Sequence, residues 1–333
     1  MSQTIGVLGA GSWGTALAVH LARTGHTVRL WARDASLAAA MAGSRENVAY
    51  LPGITLPAAL RPTGDVAEAI DGAEFLVTAV PSHGLREVAR AASQHLPRAC
   101  ALVSATKGLE EGSLLRMSEV LRSELPEAGE IIALSGPSFA AELARELPTA
   151  LVAAGESSAV VEAVMAHFRS PCLRLYGSAD VVGVELGGSL KNIIAIAAGV
   201  VEGLGVGHNA LAALITRGLA ELSRLAVAQG AQRETLAGLA GLGDLVLTCT
   251  GDLSRNRKVG IELAHGQSLA AILGSTRMVA EGVRTTEAAL ALGARHGIEL
   301  PIAREMSNVL AGRTDPQTAI RNLMGRKQKL EHA

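Results

Sequence analysis

An α/β fold, with a mostly parallel doubly wound sheet giving way to an all-helical half, is what this sequence predicts. Three observations predict it. The first is a strand, a tight glycine turn and a helix at the start of the chain. The apolar run Ile5 to Leu8 is followed by Gly9-x-Gly11-x-x-Gly14, then by a breaker-free segment to Arg23 with Leu17 and Leu21 at helical spacing. The second is a set of short, near-continuous apolar runs such as Phe75 to Val80, as expected of strands covered on both faces. The third is that this strand pattern stops near Asp180, beyond which apolar residues recur at the helical period. The expected organisation is one unit over residues 1–180 and an all-helical unit over 181–333.

In the first element, Gly9 makes the turn, Gly11 lets backbone approach a ligand closely, and Gly14 allows the helix to pack on the strand. Thr27 to Trp31 follows after Gly25-His26 and closes a β-α-β unit, which turns a weak glycine motif into a Rossmann dinucleotide-binding fingerprint. A flavodoxin-like sheet with a chance glycine-rich turn is the competing reading. Unpaired N–H groups at the helix N-terminus are suited to a pyrophosphate. Arg33 stands near the end of the second strand, where an acid would accept from a ribose hydroxyl and an arginine pairs with a 2′-phosphate, so NADPH is preferred over NADH. Asp34 reads as a helix N-cap.

Residues 44–64 read as irregular, because Pro52, Pro57 and Pro62 bar a regular helix, and Asp65 to Ile70 makes a short helix. Phe75 to Val80 ends in Pro81-Ser82-His83, at the strand edge where open α/β sheets bind ligands. His83 there reads as a contact or a solvated loop residue as readily as a base. Ala101 to Ser104 leads into Ala105-Thr106-Lys107-Gly108, and Ile131 to Leu134 leads into Ser135-Gly136-Pro137-Ser138. Hydroxyls, glycines and a lysine line these two loops, as an anionic ligand requires. Strands at Thr149 to Ala153 and Cys172 to Tyr176 flank a helix with Val161, Val164, Met165 and Phe168 on one face.

In the helical half, Lys191 is the leading candidate for chemistry. It is placed near the start of a helix too apolar to face water, where burial disfavours the ammonium form and lowers the pKa toward the range useful for proton transfer. A lysine snorkelling to solvent is the alternative. Asn192 either orients a hydroxyl or caps. Asn209 is expected to cap a long helix ended by Gly230, with Leu211, Leu214, Ile215, Leu219, Leu222 and Leu225 inward and Arg217 and Glu221 as a surface pair. Further on, Asp244 is flanked by glycine, and Ser254-Arg255-Asn256 opens a helix. Hydroxyl, guanidinium and amide at a helix N-terminus suit a phosphate, although a capped helix with an exposed arginine reads the same way. Helices are expected over 255–265, 284–296, 302–311 and 316–324, the last opened by Asp315-Pro316.

Composition narrows the class. The 333 residues are 49% hydrophobic with mean hydropathy +0.30, enough for a large core, and no run approaches the roughly 18 apolar residues of a membrane span. A formal charge of −1 with no basic run argues against nucleic acid as a partner. Cys100, Cys172 and Cys249 show no metal-ligand spacing, so no metal is expected; they fit small core residues in a reducing compartment. The chain enters its first strand directly, leaving no room for a signal peptide, and a cytoplasmic protein is expected. The apolar helical half is compatible with a homodimer.

Taken in order behind the glycine loop, the segments Ser104 to Glu110, Leu134 to Ala140, Gly188 to Asn209, Gly241 to Asn256 and Val279-Ala280-Glu281-Gly282 resemble bacterial NAD(P)-dependent glycerol-3-phosphate dehydrogenase over essentially the whole chain. One departure is Ser189, where the family has alanine or threonine before Leu-Lys-Asn. By position, the resemblance implies Lys191 as proton acceptor, with Lys107 and Asp244 assisting. It implies substrate contacts from Lys107, Gly136, Ser138, Lys191, Asp244, Ser254, Arg255 and Asn256. It also implies cofactor contacts from Ser12, Trp13, Arg33, Lys107, Ala140, Arg255, Val279 and Glu281, beside Gly9, Gly11 and Gly14. The implied reaction is reversible hydride transfer between a nicotinamide and glycerol 3-phosphate or dihydroxyacetone phosphate, supplying phospholipid synthesis in the cytoplasm. The rival readings are a 3-hydroxyacid dehydrogenase and a nicotinamide sensor without turnover.

Overall fold

The computed structural model describes residues 2–98, 100–275, 280–328 and 330–331. Ten strands precede residue 180: β1 Thr4–Leu8, β2 Thr27–Trp31, β3 Glu46–Asn47, β4 Leu51–Thr55, β5 Leu60–Thr63, β6 Phe75–Thr78, β7 Ala101–Ser104, β8 Ile131–Ser135, β9 Thr149–Ala154 and β10 Leu173–Ser178. Between them run α1 Ser12–Arg23, α2 Ala35–Ser44, α3 Val66–Ile70, α4 Leu85–Ser93, α5 Met117–Glu124, α6 Ala140–Ala144 and α7 Ser158–Phe168. The rest is helical: α8 Val181–Gly203, α9 His208–Ala228, α10 Arg233–Ala237, α11 Asp244–Thr250, α12 Arg255–Ala264, α13 Leu269–Gly274, α14 Glu281–His296, α15 Pro301–Leu310 and α16 Pro316–Met324.

Eight strands form one sheet in the order β10-β9-β8-β7-β6-β1-β2-β5, parallel throughout except for the antiparallel β8–β9 pair. This is the predicted Rossmann-type sheet followed by helices. The chain leaves β1 for β2 on one side and later returns to β6 on the other, so the loops after β1 and β6 diverge and leave a crevice at their carboxyl ends. Central strands are apolar on both faces because helices cover both; Phe75–Thr78 and Ile131–Ser135 are buried at every position.

The stretch 44–64 departs from the irregular segment expected there. It holds the β3–β4 hairpin and β5, and Pro62 is tolerated because β5 is an edge strand where a missing N–H need not break a ladder. The second departure is α8. It begins at Val181, capped by the Asp180 carboxylate, which accepts from Gly183 N at 2.8 Å, so Lys191 sits in mid-helix rather than near its start. Gly187 and Gly188 mark close packing there rather than a break. A Cβ on Gly187 would lie 2.6 Å from the Ala240 carbonyl oxygen, and one on Gly188 would lie 2.3 Å from Ser135 Oγ. With its first two turns included, the helix is long and apolar enough by composition to cross a membrane, yet 89% of its apolar window is buried inside the protein. It is the axis of the helical half, packed by α9, α11, α12 and α14.

In α9 the first residue is His208 and the cap position is Gly207 at φ +95°, so Asn209 is not the cap. Leu222 and Leu225 are buried; Leu211, Leu214, Ile215 and Leu219 are only partly so. Glu221 is no surface partner of Arg217. It is 2% exposed and accepts from Ile302 N at 2.9 Å and Ala303 N at 3.0 Å, taking two of the donors that the first turn of α15 leaves unsatisfied. Burial pushes its pKa up to about 7 against those two hydrogen bonds. All three cysteines are free thiols.

Candidate functional site

The crevice at the β1/β6 divergence opens into a cleft of about 830 Å³ between the sheet and the helical half, within the range of sites for small organic ligands. One wall is the glycine turn. Gly9 has φ +118°, and a Cβ there would lie 2.7 Å from the Ala79 carbonyl oxygen; a Cβ on Gly14 would lie 1.9 Å from Gly9 O. Both positions therefore demand glycine. At Gly11 an added Cβ would meet no protein atom within 4 Å, and this residue lines the cleft. Gly11 also caps α1 without a side-chain hydrogen bond, leaving N–H groups of the first turn toward the cleft. A phosphate-bearing ligand fits this cradle. Asn47 holds the turn from behind, its Nδ2 donating to Ala10 O at 2.9 Å and Thr15 Oγ1 at 2.8 Å. Ser12 Oγ donates to Tyr50 O at 2.7 Å, which closes the turn between β3 and β4 onto the same loop.

Arg33 is exposed on the cleft wall just beyond β2, while the neighbouring Asp34 is engaged as the cap of α2, accepting from Ser36 N at 2.9 Å. Trp13 and Ala140 also line the cleft. Glu281, the first residue of α14, crosses to the sheet side, accepting from Ser82 N at 3.1 Å and Ser82 Oγ at 2.7 Å. Val279 lies outside the described residues.

Facing this wall, three charged groups converge that are far apart in sequence. Asp244, the first residue of α11, is fully buried; its Oδ2 accepts from Lys107 Nζ at 2.7 Å and its Oδ1 from Lys191 Nζ. Both lysines reach the cleft, whereas Asp244 stands behind them and does not line it. Lys191 Nζ also donates to Thr248 Oγ1 at 2.7 Å, and Lys107 Nζ to Gly136 O at 3.2 Å. Lys191 is 6% exposed and does not snorkel. Burial in the apolar bundle brings its pKa down to about 7, Asp244 opposes that shift, and Lys107 adds to it. The site thus presents one buried carboxylate with two ammonium groups, a surface suited to an anion and to a group that becomes negative during reaction.

Gly136 is buried and contributes its carbonyl, which holds both Lys107 and Ser138 Oγ. Its φ of +137° and the crowding of an added Cβ, 3.1 Å from Ala150 O, require glycine. Ser254 caps α12, accepting from Arg257 N at 3.2 Å, and Arg255 stands exposed on the cleft wall. Asn192 caps nothing: its Oδ1 accepts from Asn256 Nδ2 at 2.9 Å, and Asn256 Oδ1 accepts in turn from Gly282 N at 3.0 Å. This chain ties α8, α12 and α14 together at the cleft floor.

The predicted residues among those described therefore surround one cleft, with Gly14, Gly136 and Asp244 supporting it from behind. Thr248 and Asn47 were not singled out by the sequence. Thr248 had a signal, since it lies four residues after Asp244 on α11 and so on the same face. Asn47 had none, because its role depends on a long-range approach.

Known proteins match along the same lines. Residues 4–161 match the family described as NAD-dependent glycerol-3-phosphate dehydrogenase N-terminus, and residues 180–321 match the corresponding C-terminus. The NAD(P)+ glycerol-3-phosphate dehydrogenase of Citrifermentans bemidjiense is 51% identical over 333 residues, covering 99% of both chains. That of Geobacter sulfurreducens is 52% identical with the same coverage. A crystal structure of glycerol-3-phosphate dehydrogenase from Coxiella burnetii superimposes with TM-score 0.94 at 40% identity, covering 98% of this chain and 99% of that one.

Proposed function

Because the chain belongs to the NAD-dependent glycerol-3-phosphate dehydrogenase family, we propose that it interconverts sn-glycerol 3-phosphate and dihydroxyacetone phosphate with Lys191 as general acid and base. It is an NAD(P)-dependent oxidoreductase of that family. The observation that carries the residue assignment is the pair of lysines on one buried aspartate, at the cleft wall opposite the glycine cradle.

When bound, the nicotinamide supplies or accepts the hydride. Lys191 moves the proton: in reduction it donates from Nζ to the developing alkoxide oxygen, and in oxidation it accepts from the hydroxyl. A pKa near 7 keeps both forms populated at neutral pH, which general acid–base catalysis in both directions requires. Lys107 stabilises the alkoxide charge from a fixed position, at no cost in reorganisation. Asp244 holds the two ammonium groups in place and keeps the site from discharging Lys191 altogether. Arg255, with Ser254 and Asn256 beside it, grips the phosphate at the opening of α12, so that binding energy at a remote group positions the carbonyl. Ser138 and Gly136 complete the substrate side. Residues 1–180 hold most of the cofactor, joined by Arg255 and Glu281 from the helical half, and 181–333 supply most of the substrate site.

Arg33, free of the capping that occupies Asp34, supports NADPH as the preferred cofactor. Free thiols throughout support a cytoplasmic enzyme, and the partly exposed apolar side chains of α9 support a homodimer. Supply of glycerol phosphate to phospholipid synthesis completes the proposal, on the family's account.

The test is NADPH oxidation with dihydroxyacetone phosphate, with a 3-hydroxy acid run in reverse as the competing substrate. Lys191→Ala should lower kcat by about 10²–10⁴, the usual worth of a general acid–base group, with NADPH affinity kept. Turnover of the 3-hydroxy acid alone, or near-normal kcat in the variant, would overturn the assignment.

A further inference from the structure

Ser189 takes no part in the chemistry above, yet it is 1% exposed and faces the segment that carries Lys107. Gly108 N donates to Ser189 Oγ at 2.9 Å, and the hydroxyl hydrogen has two carbonyls to choose from, Glu185 O at 2.7 Å and Gly108 O at 3.1 Å. We propose that Ser189 is a positioning residue, its hydroxyl clamping the Lys107–Gly108 turn onto α8 and so setting how closely the Lys107 ammonium approaches Lys191 and Asp244.

Three observations support it. Gly108 has φ +151°, and a Cβ there would lie 2.5 Å from Ser82 Cβ, so the backbone of the turn is pressed against Ser82; Gly108 has no side chain with which to bond α8, and the Lys107 side chain reaches away to Asp244 on α11. Ser189 is therefore the side chain that holds it on the α8 side. One helical turn earlier on α8, the buried Glu185 takes Ser118 N at 2.7 Å, Ser118 Oγ at 2.6 Å and Arg116 at 2.7 Å. The segment from 108 to 118 is thus fastened to one face of α8 at both ends, by residues i and i+4. Finally, the fastened lysine acts electrostatically on Lys191, which sits two positions after Ser189 on the same helix. The Lys107 charge is among the influences that lower the basicity of Lys191.

Releasing the turn lets Lys107 drift outward in the cleft, weakens its repulsion of Lys191, and raises the pKa of Lys191. For reduction, which needs protonated Lys191, the falling limb of kcat/KM against pH then moves to higher pH. The inference rests on Lys191 being the acid–base group, and the experiment separates the two claims. The pH dependence of kcat/KM for dihydroxyacetone phosphate is measured at saturating NADPH for the native chain, Ser189→Ala, Ser189→Thr and Lys191→Ala.

In Ser189→Ala, kcat/KM should fall by about tenfold, the scale of a shift short of the ångström that costs about a hundredfold. The limb should move up by about half a unit, a fraction of the 1–3 units that a close charge commands. Ser189→Thr, which keeps the hydroxyl, should restore both. A lower kcat/KM with the limb unmoved would make Ser189 merely structural and overturn the proposal, as would no change at all. A limb that survives in Lys191→Ala would instead overturn the assignment of Lys191.

Discussion

Replacing Asp244 by asparagine removes one charge from a buried group of three and changes almost no volume. The native carboxylate accepts from Lys107 and Lys191 together and has no exposure to water, so its loss leaves two ammonium groups facing each other without a counterion. At an effective dielectric constant of about 20, unit charges about 3 Å apart attract by roughly 5 kcal/mol, which is about four pK units before relaxation reduces it. Shifts seen for one close opposite charge run at about 1–3 units. Lys191 starts at about 7 with Asp244 opposing the effect of burial. A loss of about two units takes it to about 5, and the protonated fraction at neutral pH drops from about one half to about one hundredth. The sign follows: the variant's falling limb for reduction moves to lower pH, and kcat/KM near neutrality falls by roughly fiftyfold. Initial rates of NADPH oxidation with dihydroxyacetone phosphate, taken across the pH range with NADPH binding as a check on folding, would show this. A limb that stays in place while the rate falls would mean that Asp244 orients Lys191 without setting its acidity, and the electrostatic argument would fail.

Two further variants test the ends of the cleft. Arg255→Met removes a charge-assisted contact worth about 1.5–3 kcal/mol, so kcat/KM for dihydroxyacetone phosphate should fall by roughly ten- to a hundredfold. The drop for unphosphorylated dihydroxyacetone at saturating NADPH should be much smaller; equal proportional losses would remove the phosphate from Arg255. Arg33→Asp places a carboxylate where a 2′-phosphate is expected, and the ratio of kcat/KM for NADPH to that for NADH should fall. An unchanged ratio would show that Arg33 does not read the 2′ position.

Much of this protein follows from local pattern. The spacing of Gly9, Gly11 and Gly14 is legible because each position answers a local demand: a positive φ, an open face, a close helix–strand contact. The switch from strand to helix near residue 180 is legible because the two periodicities differ, and Lys191 stands out because an ammonium in a long apolar helix must either be buried for a reason or snorkel to solvent. Caps such as Asp34, Asp65 and Asp315 follow from short-range hydrogen bonding to the backbone two or three residues on.

What the sequence leaves open is who meets whom. Lys191 and Asp244 are 53 positions apart, Lys107 and Asp244 137, and Ser82 and Glu281 199. No periodicity encodes these approaches; they exist because α8 threads the helical half and carries its polar residues to the sheet's carboxyl edge. Glu221, a surface partner by spacing, became a buried cap because α15 starts against it. The acidity of Lys191 is of the same kind. Burial, one carboxylate and one more ammonium set it, and all three are properties of the assembled fold. The sequence by itself therefore determined the fold class, the glycine cradle and most of the elements, though not the β3–β4 hairpin, β5 or the start of α8. Tertiary structure alone decided the charge pairing and how Asp244 and Lys107 balance the effect of burial on Lys191, because desolvation and Coulomb energy depend on distances that only packing creates.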